Sequence, residues 1–351
     1  MKKYIRKIFV RLGWIMAFFA WGILGYWKQS VLSGMTDSVV MKKIEEAEQK
    51  KTDEKDFIKW VDFNVTAEAM QEAYTYDVNT WNQKIHLNWI DLLAVLGAKY
   101  GGDFKQYKSS DLSKVAEKFL ENEEAAERYT NKMKYFSYYR EAYGAVLEGM
   151  VGEYKLQCGE NDELEWENCY GLKAFHPIAK GFPYLHYDDF GASRSYGYER
   201  AHLGHDMLGQ VGTPIIAVES GTVTALGWNQ YGGWRIGIES FDGIRYYYYA
   251  HLRQDRPYAE GLKEGDLVQA GDVIGYMGRT GYSATENVNN IEEYHLHFGM
   301  QLIFDESQRD GNGEIWISCY ELTKFLYQNQ SQVRRNDETK EWTRVYQTED
   351  L

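Results

Sequence analysis

The chain contains 351 residues, of which 44% are hydrophobic, so it can form two or three domains with packed cores and is not a disordered protein. Its net charge of −13 argues against nucleic acid or an anionic membrane surface as the main partner, because both attract patches of lysine and arginine. A polymer or a peptide remains open as the partner.

The first 27 residues predict a membrane anchor. Residues 1–11 carry five lysines and arginines and residues 12–27 carry no charge, which is typical of a basic flank followed by a transmembrane helix. A cleaved signal peptide is the alternative, but no small-x-small cleavage site follows Trp27. We therefore expect a single-pass protein of the cell membrane, with its N-terminus in the cytoplasm and everything after about residue 28 outside.

Two segments of different character follow the anchor. A solvated stalk is predicted at residues 28–63, because residues 36–63 carry charges that alternate in sign. Residues 64–155 show the three-four spacing of apolar side chains that predicts a small helical domain. Three helices are expected there: one capped by Asn88 and ended by Gly101, one capped by Ser110, and one running from Tyr129 to Met150.

A hydrophilic linker is predicted at residues 156–174, and it contains Cys158 and Cys169. Three cysteines in the whole chain do not make a disulfide scaffold or a zinc–thiolate site. Because Cys158 and Cys169 lie close in sequence within a segment expected outside the cytoplasm, a disulfide between them is a hypothesis.

From Phe175 the pattern changes to short β-branched and aromatic runs separated by Gly, Asn and Asp turns. This predicts an antiparallel all-β domain over residues 175–327, followed by a polar, mobile tail at 328–351. The expected fold class is therefore multidomain: an N-terminal transmembrane helix, a small α-helical domain and a C-terminal antiparallel all-β domain. The expected strands are Ile215–Val223, Trp234–Ser240, Ile244–Ala250, Val273–Met277 and His295–Phe304.

Five of the eight histidines fall between positions 202 and 297. His295 and His297 are two apart, so on a strand they project from the same face. His202 and Asp206 are four apart, a spacing that shares a face on a helix or a strand, and the nearby glycines favour a strand or loop. Zinc binds imidazole nitrogens and carboxylate oxygens, and a catalytic zinc uses three protein ligands and keeps one position for water. Two imidazoles and one carboxylate would be enough protein ligands for a catalytic zinc.

Three blocks follow one another in the chain: His202-x-x-x-Asp206, then Tyr249-Ala250-His251-Leu252, then His295-Leu296-His297. With the glycine turns around them, they resemble the lysostaphin/LytM-like family of zinc metallopeptidases, which cut peptide stems or cross-links in bacterial cell walls. The resemblance covers roughly residues 170–325 and implies the family's all-β metallopeptidase fold.

The resemblance also implies a role for each residue of the blocks. His202, Asp206 and His297 are expected to ligate one zinc ion per chain. His295 is then placed to act as general base, and His251 to stabilise the oxyanion of the tetrahedral intermediate. His205 lies beside the ligand carboxylate on the opposite face, and we expect it to support that carboxylate or to lie at the surface.

Two further stretches bear on the substrate. Tyr246 to Tyr249 are expected to form a groove wall beside the zinc, and the alternative is a strand with two aromatics buried and two exposed. Residues 283–294 form a polar loop that is longer than the corresponding turn of the family. Loops that rim a groove set specificity, so substrate preference is expected to depend on this one.

The resulting expectation is a membrane-anchored zinc endopeptidase that hydrolyses peptide bonds in bacterial peptidoglycan, its expected partner, outside the cytoplasm. The layout is similar to that of sporulation-associated members that cut the stem peptide between L-alanine and D-glutamate. One alternative is a catalytically inactive LytM-like scaffold or activator of wall amidases, against which the presence of all five functional residues argues. A peptidase of secreted proteins is another.

Overall fold

The computed structural model describes residues 57–160, 163–196, 198–311 and 313–350. From Ile58 onward these residues form one compact unit. The predicted anchor at 1–27 and most of the predicted stalk lie outside the described residues. Among the helices that are described, none is long and apolar enough to span a bilayer.

Five helices form the first part of the unit. The side-chain oxygen of Asn88 accepts hydrogen bonds from the amides of Ile90 and Asp91 at 2.9 and 3.2 Å, and Gly101 ends the same helix with a φ of 62°. Both predicted boundary signals of that helix are therefore confirmed. The helices are α1 (Ala67–Thr80), α2 (Trp89–Tyr100), α3 (Ser109–Phe119), α4 (Ala125–Thr130) and α5 (Phe136–Leu147).

The other two predicted helices differ from the expectation. The third is divided into α4 and α5, because the amide of Met133 bonds to the carbonyl of Thr130 at 2.8 Å and turns the chain. Both pieces pack against one core, which is why the apolar spacing continues across the break. Lys108, rather than Ser110, holds the N-cap position of α3 and makes no side-chain capping bond.

Short strands make up most of the remaining chain, with one more helix, α6 (Tyr320–Leu326), between two of them. The strands are β1 (Val151–Glu160), β2 (Glu163–Leu172), β3 (Leu185–His186), β4 (Ser193–Tyr196), β5 (Tyr198–Ala201), β6 (His205–Leu208), β7 (Pro214–Ile216), β8 (Gly221–Asn229), β9 (Gly233–Ser240), β10 (Arg245–Ala250), β11 (Leu267–Val268), β12 (Val273–Tyr276), β13 (His295–Leu302), β14 (Ile315–Ile317), β15 (Val333–Arg335), β16 (Trp342–Arg344) and β17 (Thr348–Asp350).

The segment predicted as a linker at 156–174 is instead part of the β1–β2 hairpin. Hydrophilic side chains are compatible with this pairing, because a hairpin satisfies its backbone groups internally while its faces meet water. The register pairs Cys158 with Glu165 and Cys169 with Tyr154, which separates the two cysteines by four positions along the strands, or about 13 Å. A disulfide needs Cα atoms within about 7 Å, so the hypothesis of a Cys158–Cys169 bridge is wrong, and both thiols are free.

The C-terminal segment is not the mobile tail that its polarity predicts. β15 pairs with β16, and β17 adds a third strand to the β1–β2 hairpin. Arg344 is buried and donates hydrogen bonds to the carbonyl of Ala270 at 2.9 Å and to Oγ1 of Thr348 at 2.7 Å. Internal hydrogen bonds of polar side chains thus order this segment, and composition alone does not reveal them.

One eight-stranded antiparallel sheet carries the candidate site. Its strands run in the order β11-β8-β9-β10-β13-β6-β3, with β14 pairing to the far end of β13. The strand expected at Ile215–Val223 is divided into β7 and β8 by a turn. Because β13 lies between β10 and β6, the His295-Leu296-His297 block meets Asp206 on one side and the end of β10, next to His251, on the other.

Candidate active site

The pairing of β6 with β13 places Asp206 directly opposite His297, and His202 approaches both from the segment before β6. Nε2 of His202 lies 3.0 Å from Oδ1 of Asp206 and 2.9 Å from Nδ1 of His297. Nδ1 of His297 lies 3.0 Å from the same carboxylate oxygen. In the described part of the chain these residues form the three-residue group that could hold a metal ion. The structure therefore brings together the three predicted ligands.

These donor atoms suit zinc in number, type and spacing. Bonds of about 2.0–2.2 Å to a tetrahedral zinc separate two ligand atoms by roughly 3.3–3.6 Å, so each contact needs to open by only a few tenths of an ångström. Nδ1 of His202 donates to the carbonyl of Asp189 at 3.1 Å and lies 3.2 Å from its carboxylate. That bond fixes the ring so that Nε2 faces the group, the arrangement found where a carboxylate orients a metal-binding histidine.

The electrostatics of the group favour a cation. Burial alone would raise the pKa of Asp206, but hydrogen bonds from His202 and His297 and the nearby imidazoles hold it well below its usual range. Burial opposes a proton on His202, yet the carboxylates of Asp189 and Asp206 raise its pKa to about 9. The pKa of His297 is lowered, chiefly by burial, although Asp206 opposes the shift. The site thus stabilises one positive charge, which a proton on His202 or a metal cation supplies.

Arg194 completes the support of the carboxylate. Its Nη2 donates to Oδ2 of Asp189 at 2.5 Å and to Oδ2 of Asp206 at 3.3 Å. Oδ2 of Asp206 is therefore engaged, and Oδ1 is left facing the two imidazoles. Asp189 and Arg194 carry no role in the sequence interpretation. An aspartate and an arginine shortly before the His202 block are the signal that could have identified them.

His251 and His295 lie side by side next to this group. Their ring centroids are 4.6 Å apart, and Nε2 of His295 is 3.8 Å from Oδ1 of Asp206. Nδ1 of His295 donates to the carbonyl of Glu293 and Nδ1 of His251 to the carbonyl of Thr280, both at 2.9 Å. Because a carbonyl can only accept, each neutral ring presents an unprotonated Nε2 to the site.

His205 lies on the other face of β6, as the alternation of strand side chains predicts. Its Nε2 is 3.0 Å from Nδ1 of His186, and its ring packs edge-on against Tyr320. It is buried rather than at the surface, and burial lowers its pKa to about 4. His205 therefore packs behind the carboxylate and takes no part in the metal group.

A groove beside the metal group is lined by alternate side chains of the sheet. Along β10, Tyr247 and Tyr249 are buried in the core, whereas Tyr246 and Tyr248 line the groove. Tyr246 and Tyr248 thus form part of the predicted groove wall, and Tyr247 and Tyr249 are the two buried aromatics of the alternative. Residues 290–293 of the polar loop form part of the rim, and the carbonyl of Glu293 also orients His295.

The comparisons with known proteins match the part of the chain that contains the site. Residues 200–310 match the model of peptidase family M23, a span that contains all five predicted site residues. The L-Ala–D-Glu endopeptidase of Bacillus subtilis is 38% identical over 130 residues, which are 37% of this chain and 38% of that protein. Lysostaphin of Staphylococcus simulans is 39% identical over 98 residues, 28% of this chain and 17% of that protein. The matches thus span well under two thirds of either relative.

Two solved structures resemble parts of the chain. The catalytic domain of lysostaphin from Staphylococcus simulans is 34% identical, with a TM-score of 0.29 over 35% of this chain and 85% of that one. A LytM protein from Ruminococcus gnavus is 24% identical, with a TM-score of 0.49 over 78% of this chain and 91% of that one. The predicted resemblance is confirmed: residues 200–310 form a domain of peptidase family M23, and through this domain the chain is a homologue of the lysostaphin/LytM-like endopeptidases.

Proposed function

We propose that this chain is a zinc endopeptidase that hydrolyses peptide bonds of bacterial peptidoglycan, in the stem peptide or the cross-link, with the bond between L-alanine and D-glutamate as one candidate. The proposal includes the membrane anchor at residues 1–27 and a catalytic domain outside the cytoplasm. The observation that carries it is the convergence of His202, Asp206 and His297 within 2.9–3.0 Å, with two further imidazoles beside them. The wall-peptidase names of its homologues support the substrate class.

His202, Asp206 and His297 would hold the metal. A zinc ion held there would supply Lewis-acid chemistry, which lowers the pKa of water towards about 7 and polarises a carbonyl. Because Nδ1 of His295 donates to the carbonyl of Glu293, the neutral form of the ring has its lone pair on Nε2 and can take a proton from the attacking water and return it to the leaving amine. Its bond to the carbonyl of Glu293 keeps the ring in that orientation through both transfers.

His251 differs from the expectation in one respect. With Nδ1 bonded to the carbonyl of Thr280, its Nε2 becomes a donor to an oxyanion only when the ring is protonated. Burial, and then the neighbouring imidazoles His295 and His297, hold its pKa well below the usual 6.5. The oxyanion-binding role of His251 therefore requires that the ring gain a proton in the reacting complex.

Digestion of purified peptidoglycan by the full-length protein in the presence of zinc tests the proposed reaction. We expect new amino termini in the stem peptides or cross-links, and mass spectrometry of the fragments names the bond. Unchanged peptidoglycan alongside cleavage of a protein substrate would contradict the wall substrate. Bound zinc without cleavage of any wall substrate would favour the inactive scaffold.

Substitution of the two histidines of β13 separates metal binding from proton transfer. His297→Ala should lose both zinc and activity, because it removes a ligand. His295→Ala should retain about one zinc per chain and lose roughly 10²–10⁴-fold in kcat, the usual contribution of a general base. Zinc content measured by atomic emission, with turnover on the same samples, checks both. Loss of zinc in His295→Ala with retention in His297→Ala would reverse the assignment.

A further inference from the structure

The groove that leads away from the metal group has a volume of about 1260 Å³. Its floor is one face of the central sheet, formed by alternate residues of β9, β10 and β13. Four arginines line it: Arg194, Arg200, Arg235 and Arg309. Their partners within the fold decide which of them is available to a substrate.

Two of these arginines are already paired with carboxylates. Arg194 bonds to Asp189 and Asp206, as described above. Arg309 makes a bidentate pair with Glu239, at 2.6 and 3.0 Å. Their charges are therefore neutralised within the fold.

Arg200 lies at the mouth of the groove and is held by aromatic side chains. Its guanidinium stacks on the rings of Tyr231 and Tyr282, at 4.7 and 5.4 Å, and donates to the hydroxyl of Tyr282 at 3.1 Å. These two aromatic contacts and the hydrogen bond hold the guanidinium within the fold.

Arg235 is different. Its Nε is buried and makes no hydrogen bond, and among the described residues none of its nitrogens forms an ion pair with a carboxylate. Its polar neighbour is the hydroxyl of Tyr246, a neutral group whose pKa burial raises to about 12. The acidic residue nearest along the same face of β9, Glu239, is committed to Arg309. A buried guanidinium donor without a partner costs free energy of folding, and an acceptor from outside the chain would remove that cost.

The register of the sheet fixes where Arg235 stands relative to the metal group. His297 pairs with Ala250, and Tyr249 pairs with Ile236, so the next residue of β9, Arg235, falls opposite Ala250. His297, Ala250 and Arg235 thus form one row across three strands. Two strand spacings of about 4.8 Å separate the Cα atoms of His297 and Arg235 by roughly 10 Å.

A substrate carboxylate fits this span. The carboxyl carbon on the Cα of the residue that supplies the leaving amine is three bonds, at most about 4.3 Å, from the scissile carbonyl carbon. The remaining distance, from this carboxyl carbon to the Cα atom of Arg235, is within reach of an arginine side chain. Guanidinium groups bind carboxylates through two parallel hydrogen bonds, and Arg235 lines the groove without a carboxylate partner among the described residues, so it matches such a group.

We propose that Arg235 is a specificity-determining residue that binds the free carboxylate of the substrate residue on the amine side of the scissile bond. The inference rests on the proposed peptidase function and names the class of its substrate: peptides in which that residue is acidic. A glutamyl residue that is linked through one carboxyl keeps the other free, and therefore satisfies this requirement. A polyglycine bridge has no such group.

Two peptides that differ in one functional group test the proposal. The first contains an L-Ala–D-Glu bond, and the second carries a carboxamide in place of the free glutamyl carboxylate. We expect the full-length zinc-loaded protein to cleave the first with a kcat/KM at least tenfold higher. In Arg235→Gln the ratio of the two kcat/KM values should fall to about one, mainly through KM, and Arg235→Lys should restore part of it.

Arg309→Gln is the matched control, because it removes the same charge from the same groove at a residue that is already paired. It should keep the wild-type ratio, and so should Arg200→Gln. The proposal is overturned if the wild type cleaves both peptides equally, or if either control lowers the ratio as far as Arg235→Gln does.

A binding measurement separates this proposal from the peptidase function itself. If the wild type cleaves neither peptide, the peptidase function fails for these substrates. Calorimetric titration of the same protein with both peptides then still decides the role of Arg235. Tighter binding of the carboxylate peptide that is lost in Arg235→Gln would support it, and equal binding of the two peptides would overturn it.

Discussion

At the scale of single residues, the position of the His297 ring depends on Gly204, which has no side chain. Gly204 lies against the ring of His297, where a Cβ atom would stand 2.4 Å from Cε1 and 2.5 Å from Nε2. The imidazole is therefore pressed between this backbone and the other ligands, and Nδ1 is the nitrogen that faces them. The glycine within the His202 block thus serves the position of a ligand as well as the local backbone conformation.

Gly204→Ala should consequently weaken zinc binding, because the added methyl group must displace the His297 ring from the ligand group. We expect at least a tenfold loss in zinc affinity, measured by competition with a chelator of known affinity. Gly152→Ala is the matched control, since a Cβ there meets only the end of Lys173 at 3.7 Å. Equal zinc affinity in the Gly204→Ala and wild-type proteins would show that the ring can move without harm.

At the scale of elements, β13 is the strand on which the site is assembled. It pairs with β10, β6 and β14, so its two histidines meet residues that lie far apart in sequence. The C-terminal strands instead support the fold, because β17 extends the β1–β2 hairpin and buried Arg344 of β16 bonds to neighbouring segments. Besides its bonds to Ala270 and Thr348, this guanidinium pairs with Asp272 at 3.1 Å.

Arg344→Ala should destabilise the protein by about 3 kcal/mol, because it leaves several buried acceptors without their donor. Denaturant unfolding at equilibrium measures the effect. Arg335→Ala, at an exposed position of β15, should change the free energy of unfolding by no more than about 0.5 kcal/mol. Similar midpoints for both variants would mean that the C-terminal segment adds nothing to the fold.

At the scale of the whole molecule, the helices and the sheet share one hydrophobic core. Polar contacts join them as well. Arg245, which is buried and paired with Glu219, donates to the carbonyl of Ala145 in α5 at 3.0 Å. At another point the carboxylate of Glu321 accepts from the amide of Ala67 at the start of α1, at 2.7 Å. These contacts make the two regions one unit rather than independent domains.

Thermal unfolding should therefore occur in one transition, with the helical far-ultraviolet circular dichroism and the near-ultraviolet aromatic signal sharing a midpoint. Arg245→Met should lower both midpoints together, since it breaks the pair with Glu219 and the link to α5. Two separated transitions in the wild type, or a shift of only one signal in the variant, would contradict a single cooperative unit.

The sequence by itself determined the site and the class of its domain. His202, Asp206, His251, His295 and His297 are recognisable as candidate site residues because the three blocks that contain them resemble the lysostaphin/LytM-like family, and strand alternation places His205 on the other face. It also determined the helix between Asn88 and Gly101, because both end signals act locally. Each of these features is recognisable from a short stretch of the chain.

Only the tertiary structure decided what depends on distant partners. The ordered strands after residue 328 and the separation of Cys158 from Cys169 follow from hydrogen bonds and strand register that composition does not encode. The same holds for the four arginines of the groove, which look alike in sequence. Whether each is neutralised or available to a substrate is decided by the residues that the sheet brings beside it.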